Sequence, residues 1–364
     1  MIDGIVHGGI DYAEFERLGI EPGSVIDFSV NSNPYGPSPA VRTALQGIDI
    51  AHYPDRHCLA LRRAIRVHEL DDADWALDTI LCGNGAAELI WAIARALLQP
   101  GDKAAIIGPT FGEYAAASAA ARATVAEYRA PQGASGYVPN CGEIVAWLCD
   151  QQPALVWFCN PNNPTGYWLD RDGLMEIADA CRQIGARLVV DEAYWRFLIP
   201  PEPFSVARLI GNANMPEIIV LRSLTKDFAL AGLRLGYLVA APEMSRRIAA
   251  QLPSWSVSVA AQAAGVAAIK DRMHLARTLA MLAAERGAFF AALEASGHAI
   301  VPSRTQFCLV NVGEARSTRQ RLLTHGLVVR DCTSFGLPHS VRVATRPEGD
   351  WRRLIRALEE AGQP

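Results

Sequence analysis

Short runs of apolar residues, many of them β-branched, alternate along this chain with longer stretches whose apolar residues recur at helical spacing. The runs cover residues 104–107, 154–158, 187–190 and 218–221, and predicted helices such as 86–98 and 172–183 lie between them. Runs this short and uniformly apolar are typical of strands buried on both faces. The alternation therefore predicts βαβ units and an α/β fold, in which helices cover both faces of a mostly parallel sheet.

The pattern changes near residue 270. A long alanine-rich helix is predicted over residues 271–296, followed by strands near 307–310, 327–330 and 341–344 and a last helix from about residue 348. The N-terminal segment is rich in glycine and proline, which favours irregular chain that packs on another part of the protein. We therefore expect a large domain (41–265), a smaller C-terminal α/β domain (266–364), and an N-terminal segment (1–40) that packs on the small domain.

Composition narrows the class of ligand. Half of the 364 residues are apolar, a fifth are charged, and the formal net charge is −4 with no long basic run. Such a chain is globular and offers no positive field for a phosphate backbone, so we expect a small-molecule ligand and no nucleic acid. The sequence has neither the features of a signal peptide nor an apolar stretch of membrane-spanning length, which predicts a cytoplasmic protein with no membrane partner.

Eight cysteines are scattered along the chain without CxxC pairs and without His/Cys clusters at the spacing of metal ligands. Scattered cysteines of this kind are typical of reduced, buried thiols in a cytosolic protein. We therefore expect neither a disulfide framework nor a metal site.

Polar residues follow three of the predicted strands at the point where each strand ends. Asp191-Glu192-Ala193-Tyr194 follows one run, Asn160-Pro161-Asn162-Asn163 the second, and Arg222-Ser223-Leu224-Thr225-Lys226 the third. Ligands of parallel α/β sheets bind beyond the carboxyl ends of the strands. We therefore expect these side chains to converge on one edge of the sheet.

Lys226 is the strongest candidate for a catalytic residue. A lysine amine that is desolvated or flanked by cations loses its proton readily and becomes a nucleophile. Taken alone, a lysine in such a run is far more often a solvated surface residue. The run Ser223-x-x-Lys226 also occurs in penicillin-binding hydrolases, but their Ser-Asp-Asn and Lys-Thr-Gly motifs are absent from this chain.

A second candidate site lies in the run Leu81 to Glu88, between a predicted strand and a predicted helix. The free N–H groups of the first helical turn can bind a phosphate there, with Gly85, Ala86 and Ala87 as the cradle. A dinucleotide-binding fingerprint is the alternative, since Gly83-x-Gly85 is present and Asp102 lies further along. Glu88 replaces the third glycine of that fingerprint, and a carboxylate is a poor neighbour for a pyrophosphate.

Together these motifs resemble, in order and spacing, those of the fold-type I enzymes that use pyridoxal 5′-phosphate, the class I/II aminotransferase family. The resemblance covers essentially the whole chain. It implies a large, mostly parallel sheet domain with a smaller C-terminal α/β domain, and a Schiff base between Lys226 and the cofactor. A homodimer is also implied, in which Tyr53, in His52-Tyr53-Pro54-Asp55, reaches the cofactor phosphate of the neighbouring subunit.

The resemblance also implies how the remaining residues bind the cofactor. Asp191 would keep the pyridine nitrogen protonated, which the cofactor needs if it is to act as an electron sink. The other implied contacts are to the cofactor phosphate, from Gly85, Ala86, Ser223 and Arg234; to its 3′-oxygen, from Asn163 and Tyr194; and to its ring, from Phe111.

Two branches of the family act on phosphorylated substrates and share this layout. His7-Gly8-Gly9 and the run Asp27 to Asn31 resemble the threonine-phosphate decarboxylases of cobalamin biosynthesis, as does Trp255-Ser256-Val257. The resemblance implies decarboxylation of O-phospho-L-threonine to aminopropanol phosphate. Transamination of histidinol phosphate or a related amino acid, as in the histidinol-phosphate aminotransferases, is the alternative.

The substrate-binding residues follow from the same resemblance. It implies that Arg342 binds the substrate α-carboxylate and that Arg330 binds the substrate phosphate with His7 and Asn31, and planar guanidinium groups suit both anions. The chain departs from the decarboxylase pattern at Ile10, Tyr167-Trp168, Trp195-Arg196 and Asp227. O-phosphoserine or another small amino acid therefore stays open as the substrate.

Overall fold

The structure is a computed structural model and describes residues 7–70, 76–134, 136–199, 204–207, 210 and 215–361. Its helices are α1 (Tyr12–Leu18), α2 (Pro39–Gln46), α3 (Leu59–Glu69), α4 (Gly85–Leu97), α5 (Glu113–Ala120), α6 (Cys141–Gln151), α7 (Arg171–Gln183), α8 (Pro242–Ala249), α9 (Val259–Lys270), α10 (Arg272–Ala295), α11 (Ala315–Thr324) and α12 (Glu348–Ala361). Its strands are β1 (Ile26–Asp27), β2 (Ile80–Gly83), β3 (Lys103–Gly108), β4 (Thr124–Arg129), β5 (Leu155–Cys159), β6 (Arg187–Asp191), β7 (Ile218–Ser223), β8 (Gly236–Ala240), β9 (Phe307–Asn311), β10 (Leu327–Val328), β11 (Arg330–Asp331) and β12 (Ser340–Ala344).

The large sheet has seven strands in the order β2-β8-β7-β6-β5-β3-β4. Within it β8 is antiparallel to both of its neighbours, and the other pairings are parallel. The four predicted strand runs match β3, β5, β6 and β7 to within two residues. The prediction of a mostly parallel sheet with helices between the strands is therefore confirmed.

Both faces of this sheet are buried because side chains of a strand alternate between its two faces. In β5, Val156 and Phe158 belong to the core shared with α6 and α7. Leu155 and Trp157 belong to the core shared with α4 and α5 on the opposite face. A strand with two apolar faces has no polar alternation, which explains the uniformly apolar runs in the sequence.

The second sheet, of order β11-β12-β9, packs on α10 and α12. The single strand predicted over residues 327–330 is two short strands in the structure. β10 pairs in parallel with β1 of the N-terminal segment, and β11 pairs antiparallel with β12. The strand divides because the N-terminal segment occupies the edge of its first half.

The N-terminal segment is more ordered than its glycine and proline content predicts. Asp11 caps α1 through the N–H groups of Ala13 and Glu14, and Phe28 is buried in the core of the second sheet. The predicted boundary near residue 265 falls inside α9, which packs on α2 and α3. The division at residues 40 and 265 stays a prediction.

All eight cysteines are free thiols. Among the described residues, no helix is long and apolar enough to cross a membrane. The same residues contain no group of His, Cys, Asp and Glu side chains that could hold a metal ion.

Candidate active site

The carboxyl ends of β5, β6 and β7 bring the three polar groups together, as expected for neighbouring parallel strands. Register pairs Cys159 with Asp191 and Asp191 with Leu221, so the residues that follow these strands meet at one edge of the sheet. One pocket there is lined by the predicted residues Ala86, Phe111, Asn163, Asp191, Tyr194, Ser223, Lys226 and Arg234. It continues into a larger cavity that is also lined by His7, Asn31, Arg330 and Arg342.

Lys226 lies in the connection between β7 and β8, directly beyond the carboxyl end of β7. The chain has three lysines; Lys226 and Lys103 are half-buried, and Lys226 is the one that lines the pocket. Burial, and next the positive charges of Arg342 and Arg234, lower the pKa of its amine to about 8. A neutral amine is the nucleophilic form of lysine. The lowered pKa therefore favours the form of Lys226 that can attack a carbonyl carbon.

Asp191 is a buried carboxylate at the end of β6. Its Oδ2 accepts a hydrogen bond of 2.7 Å from the hydroxyl of Tyr114, and its Oδ1 accepts the N–H of Ala193. Burial raises the pKa of Asp191, whereas these two hydrogen bonds act in the opposite direction. The carboxylate therefore has a fixed orientation at the edge of the pocket.

The N-terminus of α4 and Arg234 form a cradle for an anion. The side chain of Asn84, the N-cap residue of α4, makes no capping hydrogen bond to the first N–H groups of the helix. Gly85 has a φ of +81°, a conformation that favours glycine, and the guanidinium of Arg234 lies close to it, since a Cβ atom there would be 2.6 Å from Nη2. Ser223 lines the same part of the pocket, and its hydroxyl lies 2.6 Å from that of Thr225.

The alternative dinucleotide site finds no support in this geometry. Glu88 Oε2 accepts the N–H of Asn84 at 2.6 Å, which places a carboxylate at the start of α4. Asp102 precedes β3 at the opposite edge of the sheet and accepts the N–H of Gln99. Each of the two acidic residues therefore binds a backbone N–H group close to it in sequence, and Asp102 is remote from the cradle.

Arg342 is buried between the two parts of the pocket. Its guanidinium donates to Oδ1 of Asn163 and, at 2.5 Å, to the carbonyl oxygen of Ser29. The backbone of Gly8 packs on the same carbonyl, since a Cβ there would lie 2.3 Å from it. The N-terminal segment therefore forms the wall of the pocket beside Arg342.

Arg330 lines the outer part of the pocket. Its Nη2 donates to the hydroxyl of Ser334 at 2.6 Å, and its guanidinium lies over the ring of Phe335. His7 lies across the cavity, with Nε2 at 2.9 Å from a carboxylate oxygen of Glu113 and its ring near Phe111.

Asn31 and Tyr194 meet at the floor of this cavity. The Asn31 side-chain amide donates to the Tyr194 hydroxyl at 3.5 Å, and Oδ1 of Asn31 is buried without a hydrogen-bond partner. Burial raises the pKa of Tyr194 to about 12, so its hydroxyl keeps its proton. A ligand donor that reaches Asn31 would satisfy this oxygen.

Tyr53 lies outside the pocket, whereas Gly85, which is also absent from the lining, adjoins Arg234. The side chain of Tyr53 is 80% exposed and stacks on the ring of Trp255 at 4.6 Å. Its predicted role concerns a neighbouring subunit, so the prediction stays open for a single chain.

Several lining residues were not singled out from the sequence, among them Glu113, Tyr114 and Arg316. Tyr114 lies in the first turn of α5, whereas Phe111 precedes that helix, so helical spacing does not connect the two residues. Arg316 lies far from the other motifs along the chain and has no comparable sequence pattern.

Two departures from the family pattern form an ion pair. Arg196 Nε lies 3.2 Å from Asp227 Oδ2, and Arg196 Nη2 lies 2.7 Å from Glu69. The ring of Trp195 packs under the guanidinium of Arg196. Tyr167, Trp168 and Ile10 do not line the pocket. These departures therefore lie outside the surface that faces a ligand.

The residues present fit pyridoxal phosphate. The site combines a buried amine of lowered pKa, a buried carboxylate, an aromatic ring at Phe111 and an uncapped helix N-terminus beside Arg234. The amine suits the aldehyde of that cofactor, and the carboxylate suits its pyridine nitrogen. The aromatic ring suits the face of the pyridine ring, and the helix N-terminus with Arg234 suits the phosphate.

Comparisons with known proteins agree with this assignment. The family model of aminotransferase class I and II matches residues 23–358. The chain is 36% identical over 360 residues to the threonine-phosphate decarboxylase of Salmonella typhimurium, covering 97% of this chain and 95% of that protein. It is 32% identical over 351 residues to the histidinol-phosphate aminotransferase of Halobacterium salinarum, covering 94% and 93%.

A solved structure has the same fold. Histidinol-phosphate aminotransferase from Sinorhizobium meliloti, in complex with pyridoxal-5′-phosphate, superposes with a TM-score of 0.85 at 24% identity, covering 97% of this chain and 94% of that one.

Proposed function

Because this chain belongs to the class I and II aminotransferase family, we propose that it decarboxylates O-phospho-L-threonine to aminopropanol phosphate, a reaction of cobalamin biosynthesis. Its cofactor is pyridoxal 5′-phosphate, as the family and the cofactor-bound structural relative indicate. The decarboxylase from Salmonella typhimurium supports the proposed reaction.

The observation that carries the proposal is that Lys226, Arg342 and Arg330 line one cavity, in which Arg234 and Arg316 also take part. O-phosphothreonine has an amine and a carboxylate on Cα and a phosphate ester on the adjacent Cβ. A neutral Lys226 exchanges with the substrate amine, Arg342 binds the carboxylate, and Arg330 binds the phosphate together with His7 and Asn31.

We propose that the cofactor is held by residues at the same edge of the sheet. Lys226 bonds it covalently and Asp191 pairs with its ring nitrogen. Phe111 stacks on the ring, and Asn163 and Tyr194 bond its 3′-oxygen. Gly85, Ala86, Ser223 and Arg234 hold its phosphate, with Tyr53 of a second copy.

When bound, pyridoxal phosphate supplies a sink for the electron pair released as a bond to the substrate Cα breaks. Arg342 would bind and orient the carboxylate; in decarboxylation the bond from Cα to that group breaks and CO2 leaves. Lys226 would take up the proton that the substrate ammonium group loses on binding and, as an ammonium group, would deliver it from Nζ to Cα. A displacement of about 1 Å in substrate placement decides between this bond and the Cα–H bond.

Transamination of histidinol phosphate is the second candidate. The aminotransferase from Halobacterium salinarum favours it, being similar to this chain over nearly the same length. In that reaction Lys226 would remove the Cα proton, and Arg342 would bind the carboxylate of an amino-acid co-substrate.

The experiment compares two assays on the purified holoenzyme. Release of CO2 from O-phospho-L-threonine supports the decarboxylase. Amino-group exchange between histidinol phosphate and 2-oxoglutarate without CO2 release replaces that proposal with the second candidate. O-phosphoserine tests whether the substrate methyl group is needed.

We further propose that the enzyme is a cytoplasmic homodimer with a large domain (41–265) and a small domain (266–364). Contacts of β1 with β10 and of Phe15 with Leu323 support packing of the N-terminal segment on the small domain. The eight free thiols support a reducing compartment.

A further inference from the structure

We propose that Tyr114 is a positioning residue that acts on the cofactor through Asp191, keeping that carboxylate ionised so that the proton stays on the cofactor ring nitrogen. This inference rests on the pairing of Asp191 with the ring nitrogen that we propose above. It does not depend on whether the substrate is decarboxylated or transaminated.

The hydrogen bond between the two side chains is short and buried. The Tyr114 hydroxyl donates to Oδ2 of Asp191 at 2.7 Å, and Tyr114 is 0% exposed. Burial, and next the charge of Asp191, raise the pKa of the Tyr114 hydroxyl well above its usual range. Tyr114 is therefore a permanent donor and never a competing base.

The direction of its effect follows from what a donor does to a carboxylate. A hydrogen bond to the charged form favours that form and lowers the proton affinity of the oxygen. A buried carboxylate without this donor would bind a proton more strongly, and it would draw the shared proton away from the ring nitrogen. Tyr114 therefore favours an ionised Asp191 facing a protonated ring.

The surrounding residues hold the phenol in place. Its ring stacks on Trp157 at 5.2 Å, and Trp157 Nε1 donates to Ser118, whose hydroxyl donates to the carbonyl oxygen of Tyr114. Tyr114 also meets Phe111 edge to face at 5.7 Å. One side chain thus contacts the carboxylate and the proposed stacking ring together.

The test replaces only the hydroxyl. Tyr114→Phe keeps the ring, its stacking and the fold, and the enzyme is loaded with pyridoxal phosphate labelled with nitrogen-15 in its ring. Without substrate, the nitrogen resonance should move toward that of an unprotonated pyridine, while cofactor affinity changes by less than about threefold. Hydrogen bonds to charged groups imply a fall of about 10-fold or more in the rate of Cα bond cleavage.

Ser118→Ala is the matched control, because it removes a buried hydroxyl beside Tyr114 while leaving the Tyr114 hydroxyl and Asp191 unchanged. It should leave the nitrogen resonance unchanged. An unchanged resonance in Tyr114→Phe, or an equal shift in Ser118→Ala, overturns the inference. The nitrogen measurement needs no substrate, so it stays informative if O-phosphothreonine is not decarboxylated.

Discussion

Arg330 and Arg342 are directly opposite each other where β11 and β12 run antiparallel. Side chains in such a pair lie about 5 Å apart, and like charges at that spacing destabilise a sheet. Burial lowers the pKa of both guanidinium groups, that of Arg330 to about 10. Arg330 donates to the hydroxyl of Ser334, and Arg342 donates to the side chain of Asn163. Two anionic groups of a bound substrate would add favourable charge pairs at this position.

Replacing Arg330 with alanine should therefore weaken use of a phosphorylated substrate. Losing a charge-assisted contact typically costs about 1.5–3 kcal/mol, which lowers kcat/KM for O-phosphothreonine by roughly 10- to 100-fold. Cofactor binding and any slow reaction with unphosphorylated threonine should be nearly unchanged. Steady-state kinetics with both substrates measure the difference.

Arg321→Ala is the control for this experiment, since it removes an exposed guanidinium of α11 that does not line the pocket. Arg330 would be structural if its variant lost both activities equally. O-phosphothreonine should also raise the melting temperature of the wild type more than that of Arg330→Ala, because a ligand stabilises the state that binds it.

Borohydride reduction of the holoenzyme should attach the cofactor to Lys226. Lys103 donates a hydrogen bond to the side chain of Gln151, and Lys270 is exposed at the end of α9. Neither of these lysines reaches the pocket. Peptide mapping identifies the modified lysine. Lys226→Ala should lose the visible absorption of the enzyme unless it retains the cofactor without a covalent bond, whereas Lys270→Ala should keep it. Modification of either other lysine would contradict the assignment.

The rate at which apoenzyme captures pyridoxal phosphate should rise with pH through about 8. The pKa of Lys226 is lowered to about 8 by burial and by Arg342 and Arg234, and the neutral amine that forms above that pH is the nucleophile. Stopped-flow absorbance follows the capture. Arg342→Gln removes a nearby positive charge and should move the midpoint to higher pH. A midpoint that stays in place in this variant would argue against the electrostatic explanation.

The unfolding free energy of the Asp227→Asn variant, relative to that of the wild type, should increase as pH rises. Burial raises the pKa of Asp227 to about 7 although Arg196 opposes the shift, so folding favours the protonated acid. That contribution is complete below the ordinary pKa of aspartate and is lost as pH rises through about 7. From pH 5 to 8, the unfolding free energy of the variant relative to wild type should rise by on the order of 1 kcal/mol.

Urea unfolding of the holoenzymes at the two pH values measures this difference. Asp78→Asn, which breaks the exposed pair of Asp78 with Arg246, serves as the control and should show little dependence on pH. An opposite slope in Asp227→Asn would mean that the ion pair with Arg196 outweighs burial.

Tyr53 should complete the site of a second copy. In a heterodimer, one subunit carries Tyr53→Ala and the other carries Lys226→Ala. Because each site would take its lysine from one subunit and its tyrosine from the other, one site has both defects and the other has neither. Coexpression should therefore recover up to half of the wild-type activity. Light scattering checks that dimers form. Verified heterodimers without activity, or a fully loaded monomer, would contradict the prediction.

The sequence predicted the parts of the site that follow buried strands. Asp191, Asn163 and Lys226 come directly after apolar runs, and the carboxyl ends of parallel strands meet by geometry. The break at Val329 was not predictable, because it depends on pairing with β1 from the other end of the chain. The ion pair between Arg196 and Asp227 was not predictable for the same reason. In the sequence, each of these residues is only a departure from the family pattern.

The division of the strand at Val329 also constrains the order in which this chain can fold. Ser29 and Arg342, which share a wall of the cavity, are 313 residues apart. During synthesis β1 emerges before the large sheet, yet its strand partner β10 is made only after all seven strands of that sheet. Closing so long a loop is entropically costly and slow. The nascent chain can therefore build the cofactor-binding sheet while its substrate-binding wall is still open, and the earliest folded species should accept pyridoxal phosphate before it can select a substrate.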